Sequence, residues 1–458
     1  MQTAGSGRSP RSFNTPPAGG QLMTRFVSCS TRLPAPMKLA ACQAALGRIC
    51  AASSALPVFP AAALLAGAGA IALHRSSTLR AAASGATVRA TAALASAGAA
   101  ARALPASAAA AAVLASAGSA ARALPASAAA AAGWRPTPPQ EAADACLAHL
   151  RTSVRTPFTT YTLAGLYTVE LVPPYPGAPK LVLTPGYSSG AGMWAPSLDH
   201  LARHYHVLAV DWLGTGASER PPFPPSASVD TCEAFFIDAL EAWRVQRLGG
   251  SATERITLVG HSLGGYLASA FALSFPQAVE HLVLVNAAGL PQRADPRIQA
   301  AREHHWLVGA LGWAWESGVT PGAVARGLGP WGAGLVEGIV VRRFARHPEP
   351  PSPQLAKYVS CITTAPGSGE FALAGLLHFG AHAKAPMAPR LLRAWRGKTT
   401  LIHGQHDWTS LDASEDLARD LRALGVDAEF HAVPRSEHYV FMEKPLEFAR
   451  IVEDRRVR

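Results

Sequence analysis

The sequence predicts an α/β domain in which a mostly parallel sheet is covered by helices, and three observations carry that prediction. Short apolar runs recur at Lys180–Leu183, Val207–Asp211, Arg255–Val259 and His281–Val285, each closed by Gly, Asp or Asn. Continuous Val, Ile and Leu, rather than strict alternation, marks strands buried on both faces. Helical stretches separate the runs, as parallel strands require of their crossovers. Finally, Gly260-His261-Ser262-Leu263-Gly264 follows one run directly and opens a helix reaching about Phe275.

The elements fall in order along the chain. A Pro-rich linker at 134–139 leads into a short helix, Ala142–Arg151, where ordered structure is expected to begin. Phe158–Val172 alternates apolar and polar residues around Gly165, the pattern of two antiparallel edge strands. The four buried strands follow. Two more runs, Thr399–His403 and Ala428–Val433, come only after a gap of more than a hundred residues, so an insertion interrupts the strand-helix rhythm. Three regions result: a basic Ala/Ser/Pro-rich region at 1–140, an α/β domain at 141–458, and within it an inserted cap at 291–395.

The first region differs in kind from the rest. Residues 1–140 hold twelve Lys or Arg and no Asp or Glu, whereas 141–458 hold 29 basic and 30 acidic residues, so the net charge of +11 belongs to the arm. Its arginines stand singly among Ala and Ser, without the clustering and aromatic interleaving of a nucleic-acid surface, and no nucleic-acid partner is expected. Leu94–Ala112 is repeated at Leu114–Ala132 with one change, a period of 20 residues. Two copies built of alanine bury too little apolar surface to offset chain ordering, so the arm is read as low-complexity and largely disordered. An acid-free, Arg- and Ser-bearing segment has the composition of a transit peptide, which predicts import into a plastid or mitochondrion. The alternative is a membrane anchor at Ala51–Leu73, uncharged for 23 residues. Ten of those are alanines, however, and Pro57 and Pro60 interrupt the segment. Six scattered cysteines show no metal-ligand spacing, and no metal site is expected.

The chemistry concentrates around Ser262. A serine at a tight strand-to-helix turn exposes its hydroxyl at a helix N-terminus, and Gly260 and Gly264 let strand and helix approach. A serine hydroxyl is a poor nucleophile at neutral pH, so a histidine must take its proton and a carboxylate must fix the tautomer of that imidazole. Both follow the insertion in the order Ser, Asp, His: Asp407 in GQHDW and His438 in PRSEHYVF, each just past a predicted strand. Asp412 lies five residues further on, inside the next helix, and is the weaker choice. Sixteen histidines supply decoys; His438 is singled out by position, whereas His406 and His431 are not. The oxyanion donors are expected to be the backbone N–H groups of Leu263 and Tyr187, with Gly186 demanded by close approach. Asp211–Ser218 imitates a phosphate-binding loop, but without a third glycine and a Lys-Ser/Thr pair it reads as a tight structural loop.

Linked motifs across about Leu181–Val452 extend this reading: PGYSSG, DWLGTGASERPPF, GHSLGGY, LVNAAG, GSGEFAL, GQHDW and EHYVFMEKPLEF. With them the chain resembles the lysophosphatidic acid acyltransferase-like branch of the α/β-hydrolases. That branch includes a lipid-droplet lipase coactivator, an N-acyl phosphatidylethanolamine lipase and a cardiolipin deacylase. The resemblance implies an α/β-hydrolase fold with a helical cap. The branch carries a His-x4-Asp element, matched from His438 but with Glu443 in place of Asp, and a His where this chain has Pro185. The coactivator carries Asn at the nucleophile position, so Ser262 implies a hydrolytically competent member.

The cap is where substrate would be chosen. Trp306, Trp313, Trp315 and Trp331 among glycines suggest a mobile apolar lid for an acyl chain, with ordinary core packing as the alternative. Arg342, Arg343 and Arg346 form a basic cluster that could meet a lipid phosphate, although such a cluster is more often a solvated face. The expected activity is hydrolysis of acyl esters of phospholipids, lysophospholipids or acylglycerols through an acyl-serine, without cofactor, at a membrane or lipid-droplet surface. The alternatives are acyl-CoA-dependent transfer to lysophosphatidic acid and a non-catalytic lipase coactivator.

Overall fold

The structure is a computed structural model that describes residues 135–457, apart from short segments at 173–174, 225–226, 251–253, 292–295 and 346–351. The repeat, the import segment and the 51–73 anchor alternative lie outside the described residues.

Eight strands form one sheet: β1 (Phe158–Leu163), β2 (Leu166–Leu171), β3 (Lys180–Thr184), β4 (His206–Val210), β5 (Ile256–His261), β6 (Val279–Val285), β7 (Lys398–Gly404) and β8 (Ala428–Val433). Their spatial order is β1-β2-β4-β3-β5-β6-β7-β8. The first two pairings, β1 with β2 and β2 with β4, are antiparallel; the others are parallel. The antiparallel hairpin is thus at one edge, although of its two strands only β1 is an edge strand. Chain order reverses between β3 and β5, which pair from Leu181↔Thr257 to Thr184↔Gly260. Crossovers leave this point in opposite directions, so the loops at the carboxyl ends of β3 and β5 part and leave a crevice.

Side-chain alternation along the parallel strands feeds two cores. Val182, Leu208, Leu258 and Leu282 enter one face, against Phe236, Leu240 and Trp243 of α3 (Val229–Leu248) and Leu267 and Phe271 of α4 (Leu263–Ser274). Leu181, Leu183, Val207, Val259 and Val283 enter the other, against Cys146 and Leu150 of α1 (Pro139–Ser153) and Leu198 of α2 (Ala195–Leu201). Period-two alternation explains the division, and helices on both faces explain why every residue of β5 is buried. Local signals set helix limits: α3 starts where the Ser228 hydroxyl accepts the Thr231 N–H and stops at Gly249, with φ of 89°.

Between β6 and β7 the chain is mainly helical: α5 (Pro296–His304), α6 (Trp306–Glu316), α7 (Pro321–Gly327), α8 (Pro330–Phe344), α9 (Pro353–Thr364) and α10 (Met387–Ala394) are joined by shorter turns and by a short antiparallel pairing of Leu377–His378 with His382–Ala383. The tryptophans whose side chains are described do not share one setting. Trp315 is in the core and donates Nε1–H to Leu377 O at 2.9 Å. Trp313 is partly buried against the same core, and Trp331 is 59% exposed. Burying a large ring with its one polar handle paired is the favourable placement for Trp, and composition does not distinguish it from a lid. After β7 come α11 (Leu411–Ala423) and, after β8, α12 (Pro445–Val457). Among the described residues no helix is long and apolar enough to cross a membrane.

Candidate active site

Ser262 stands at the β5–α4 junction with φ 53° and ψ −121°. A non-glycine residue held there costs about 1–3 kcal/mol of strain and persists only where its surroundings over-determine it. They do so here. Its N–H donates to Val285 O at 3.0 Å, and its carbonyl accepts the N–H groups of Gly265 at 2.9 Å and Ala288 at 3.0 Å. The glycines are required by contact: a Cβ on Gly260 would lie 2.4 Å from Gly264 O, and one on Gly264 would lie 2.4 Å from Pro185 O.

Asp407 follows β7 with a fully buried side chain. Its Oδ1 accepts the Trp408 N–H at 2.6 Å, and its Oδ2 accepts from the Thr409 hydroxyl and the Asn286 amide. His438 Nδ1 lies 2.9 Å from Oδ1 and 3.1 Å from Oδ2. Burial alone would raise the carboxyl, but the His438 charge and the hydrogen bonds from His438, Thr409 and Asn286 outweigh it and hold Asp407 well below the usual carboxylate range. An ionised carboxylate only accepts, so Nδ1 carries the proton and Nε2 is left as the acceptor. That is the tautomer a general base needs.

The loops of Ser262 and His438 are joined through the residue before the serine. His261 Nε2 donates to the His438 carbonyl at 2.8 Å, and the two rings lie 4.7 Å apart. Burial first, and then the His438 charge, lower His261 to about 3, so it is neutral at physiological pH. Among the described residues no hydrogen bond joins Ser262 Oγ to His438; such bonds commonly tighten only in the complex with substrate. The structure therefore brings Asp407 and His438 into contact and places Ser262 one residue from the bond that ties down His438.

On the other side of Ser262, a Cβ on Gly186 would lie 2.9 Å from Ser262 Cβ, so the loop after β3 presses on the nucleophile position. Among the described residues neither the Tyr187 nor the Leu263 N–H has a protein acceptor, as oxyanion donors require. Pro185, where the resemblance implies His, keeps its carbonyl fixed by the Trp212 Nε1–H at 3.0 Å. The Tyr187 hydroxyl reaches the insertion, accepting the Gly322 N–H at 3.3 Å. A small cavity of about 30 Å³, with room for water, lies between this loop and the insertion. The Asp211–Ser218 loop is closed on its own carboxylate, since Asp211 accepts the Ala217 N–H at 2.8 Å and also the Ala191 N–H at 2.6 Å.

Two residues of the site were not read from the sequence, and a third, Glu443, was noted there only through the resemblance. His261 is one. Asn286, at the end of β6, links the Asp407 carboxylate to the Glu437 carbonyl, the latter at 3.3 Å. Glu443 accepts the Glu437 N–H and so closes the histidine loop on itself. The one signal for Asn286 was its place at a strand's carboxyl end, in line with Ser262 and Asp407. Of the basic cluster, Arg343 is ion-paired with Glu437, Arg342 is exposed, and Arg346 lies outside the described residues. Among the described residues no group of three or more His, Cys, Asp or Glu is placed to hold a metal.

Sheet order, serine turn and the Asp407–His438 pair define the class: the sequence matches the alpha/beta hydrolase fold over residues 179–445, and the chain belongs to that family. It is similar to a 1-acylglycerol-3-phosphate O-acyltransferase of Arabidopsis thaliana, 36% identical over 281 residues, 59% of this chain and 65% of that protein. It is also similar to a (Lyso)-N-acylphosphatidylethanolamine lipase of Bos taurus, 29% identical over 302 residues, 63% of this chain and 82% of that protein. A third relative is the 1-acylglycerol-3-phosphate O-acyltransferase ABHD5 of Rattus norvegicus, 30% identical over 287 residues, 60% of this chain and 76% of that protein. These relatives belong to the branch whose motifs the sequence carries. The chain spans just under two thirds of the length of the plant protein.

Proposed function

We propose that the chain is a serine esterase acting on acyl esters of phospholipids, lysophospholipids or acylglycerols. The observation that carries this reading is the buried Asp407 carboxylate on His438 Nδ1, which leaves Nε2 as a base at the edge of the sheet that presents Ser262. Ser262 Oγ attacks the ester carbonyl while His438 takes its proton, and the Leu263 and Tyr187 N–H groups receive the developing oxyanion. The proton passes to the leaving alcohol; a water deprotonated by His438 then releases the acid and restores the serine. The scheme uses no metal and no organic cofactor. Support for a lipid substrate comes from the names of the relatives, an N-acylphosphatidylethanolamine lipase among them. The proposed working place is a membrane or lipid-droplet surface. Import through residues 1–140 is a separate proposal, checked by where that segment carries a fluorescent protein.

A fluorophosphonate probe should label the folded protein and leave Ser262→Ala unlabelled, with free fatty acid released from a lysophospholipid only by the former. Failure to label folded wild type would replace this reading with a non-catalytic lipase coactivator.

A second reading is favoured by the name of the plant and rat relatives, 1-acylglycerol-3-phosphate O-acyltransferase: acyl transfer to lysophosphatidic acid, for which the donor proposed here is acyl-CoA. The same acyl-serine would serve, with the lysolipid hydroxyl in place of water. Labelled acyl-CoA supplied with lysophosphatidic acid separates the two, since transfer yields labelled phosphatidic acid and hydrolysis yields labelled fatty acid alone.

A further inference from the structure

His438 is flanked by two residues, and the end of one insertion helix holds both. Arg343, in the last turn of α8, is ion-paired through Nη1 with the Glu437 carboxylate. The same guanidinium carbon lies 5.9 Å from the centroid of the Tyr439 ring, within reach of a cation–π contact. The next residue, Phe344, meets Tyr439 edge-on at 5.4 Å and 61°. Tyr439 in turn packs 5.2 Å from His261 and 5.4 Å from His438, ring to ring. Glu437 is the residue whose carbonyl accepts from Asn286 and whose N–H is taken by Glu443. A continuous set of contacts therefore runs from α8 through Glu437 and Tyr439 to the imidazole.

We propose that Arg343 is a positioning residue for the hydrolytic reaction: by gripping Glu437 and Tyr439 it makes the seating of the insertion set where His438 stands relative to Ser262. The inference rests on the hydrolase reading. A bland role as a surface salt bridge predicts something different. The Arg343 and Glu437 side chains are 32% and 54% exposed, so as a solvent-screened ion pair they contribute little to stability. Misplacement of a base by about 1 Å, by contrast, costs on the order of 100-fold in rate.

The full chain, with Arg343→Ala, Arg343→Lys, Glu437→Gln and the double variant Arg343→Ala/Glu437→Gln, tests this by three readouts: fluorophosphonate labelling rate, kcat and KM on a short-chain aryl ester, and melting temperature. Arg343→Ala should label roughly 10- to 100-fold more slowly, with the loss in kcat rather than KM. Arg343→Lys should recover part of it. The double variant should be no slower than the slower single, because partners in one interaction are not additive. Wild-type labelling rates in folded Arg343→Ala, or additive losses in the double variant, would overturn the positioning role. If Arg343→Ala does not fold, Glu437→Gln decides: an unchanged rate overturns the proposal and a slowed one supports it. Labelled wild type with unaffected variants sinks the positioning role alone, whereas unlabelled wild type sinks the hydrolase reading and this inference with it.

Discussion

His261 Nε2 donates to the main-chain carbonyl of His438 across 2.8 Å, so the residue before the serine is bonded to the residue that carries the base. Its other ring nitrogen, Nδ1, is buried and has no protein partner among the described residues. This imidazole is neutral in the fold because burial and the His438 charge lower it from 6.5 to about 3. Between those pH values the unfolded chain binds the proton and the folded chain does not, so stability is complete above pH 6.5 and is lost as pH falls toward 3. The slope approaches about 1.4 kcal/mol per pH unit. His261→Gln can keep the donor to the carbonyl but has nothing to titrate. Its urea midpoint should therefore gain on wild type at each step from pH 7 to pH 4, and parallel curves would refute the buried neutral imidazole.

Asp407→Asn tests the charge behind His438 at nearly constant shape. An amide can offer an N–H where the carboxylate accepted one, which favours the wrong imidazole tautomer, and kcat should fall by about 10³–10⁴. Asn286→Ala removes one donor to Asp407 and the tie to the Glu437 carbonyl. It leaves a buried acceptor short of a partner, so about 1–3 kcal/mol of stability should go with a smaller loss of rate. Steady-state kinetics beside denaturant titration would distinguish the two; an equal loss of kcat in both variants would deny Asp407 its special role.

Glu443 sits where the resembling branch has Asp, and its carboxylate ties the histidine loop together by accepting the Glu437 N–H. Glu443→Gln keeps an acceptor oxygen and should change kcat less than about threefold, within the few tenths of a kcal/mol expected of a retained neutral bond. Glu443→Ala frees the loop and should cost about 1 kcal/mol in stability with a clear drop in kcat. If Gln were as damaging as Ala, the carboxylate's charge or proton would be the working feature instead.

The strands were legible because burial on both faces leaves a composition that little else produces, and β6, foreseen as His281–Val285, in fact begins only two residues earlier at Val279. Ser262, Asp407 and His438 could be singled out because each lies in a loop just past the carboxyl end of a parallel strand, which is information carried by chain order. His261 and Asn286 carry no such mark. Their roles arise where the loops after β5, β6, β7 and β8 meet, and a residue whose partners lie 121 to 177 positions away leaves no local pattern. Trp315 shows the same limit: an apolar ring among glycines reads alike whether it lines a cleft or fills a core, and its burial, with Nε1–H on the Leu377 carbonyl, places it in the core.

Gly186 offers a steric test of the oxyanion loop. It is buried, and a Cβ there would meet Ser262 Cβ at 2.9 Å, His261 Nδ1 at 3.1 Å and the His261 carbonyl at 3.1 Å. None of these is the yielding end of a long side chain, so Gly186→Ala must push the loop after β3 away from the serine and carry the Tyr187 N–H with it. Overpacking of this kind costs about 1–3 kcal/mol of stability. Losing one oxyanion donor costs about 10²–10³ in kcat. Gly334→Ala is the control, since that glycine lies within α8 with open space around its Cβ position, and alanine there should stabilise by up to about 1 kcal/mol. Melting temperatures and kcat for the two variants should move in opposite and unequal ways: Gly334→Ala melts slightly higher with unchanged kcat, while Gly186→Ala melts lower and loses far more activity than its stability explains. A Gly186→Ala enzyme with wild-type kcat would show that the Tyr187 N–H takes no part in receiving the oxyanion.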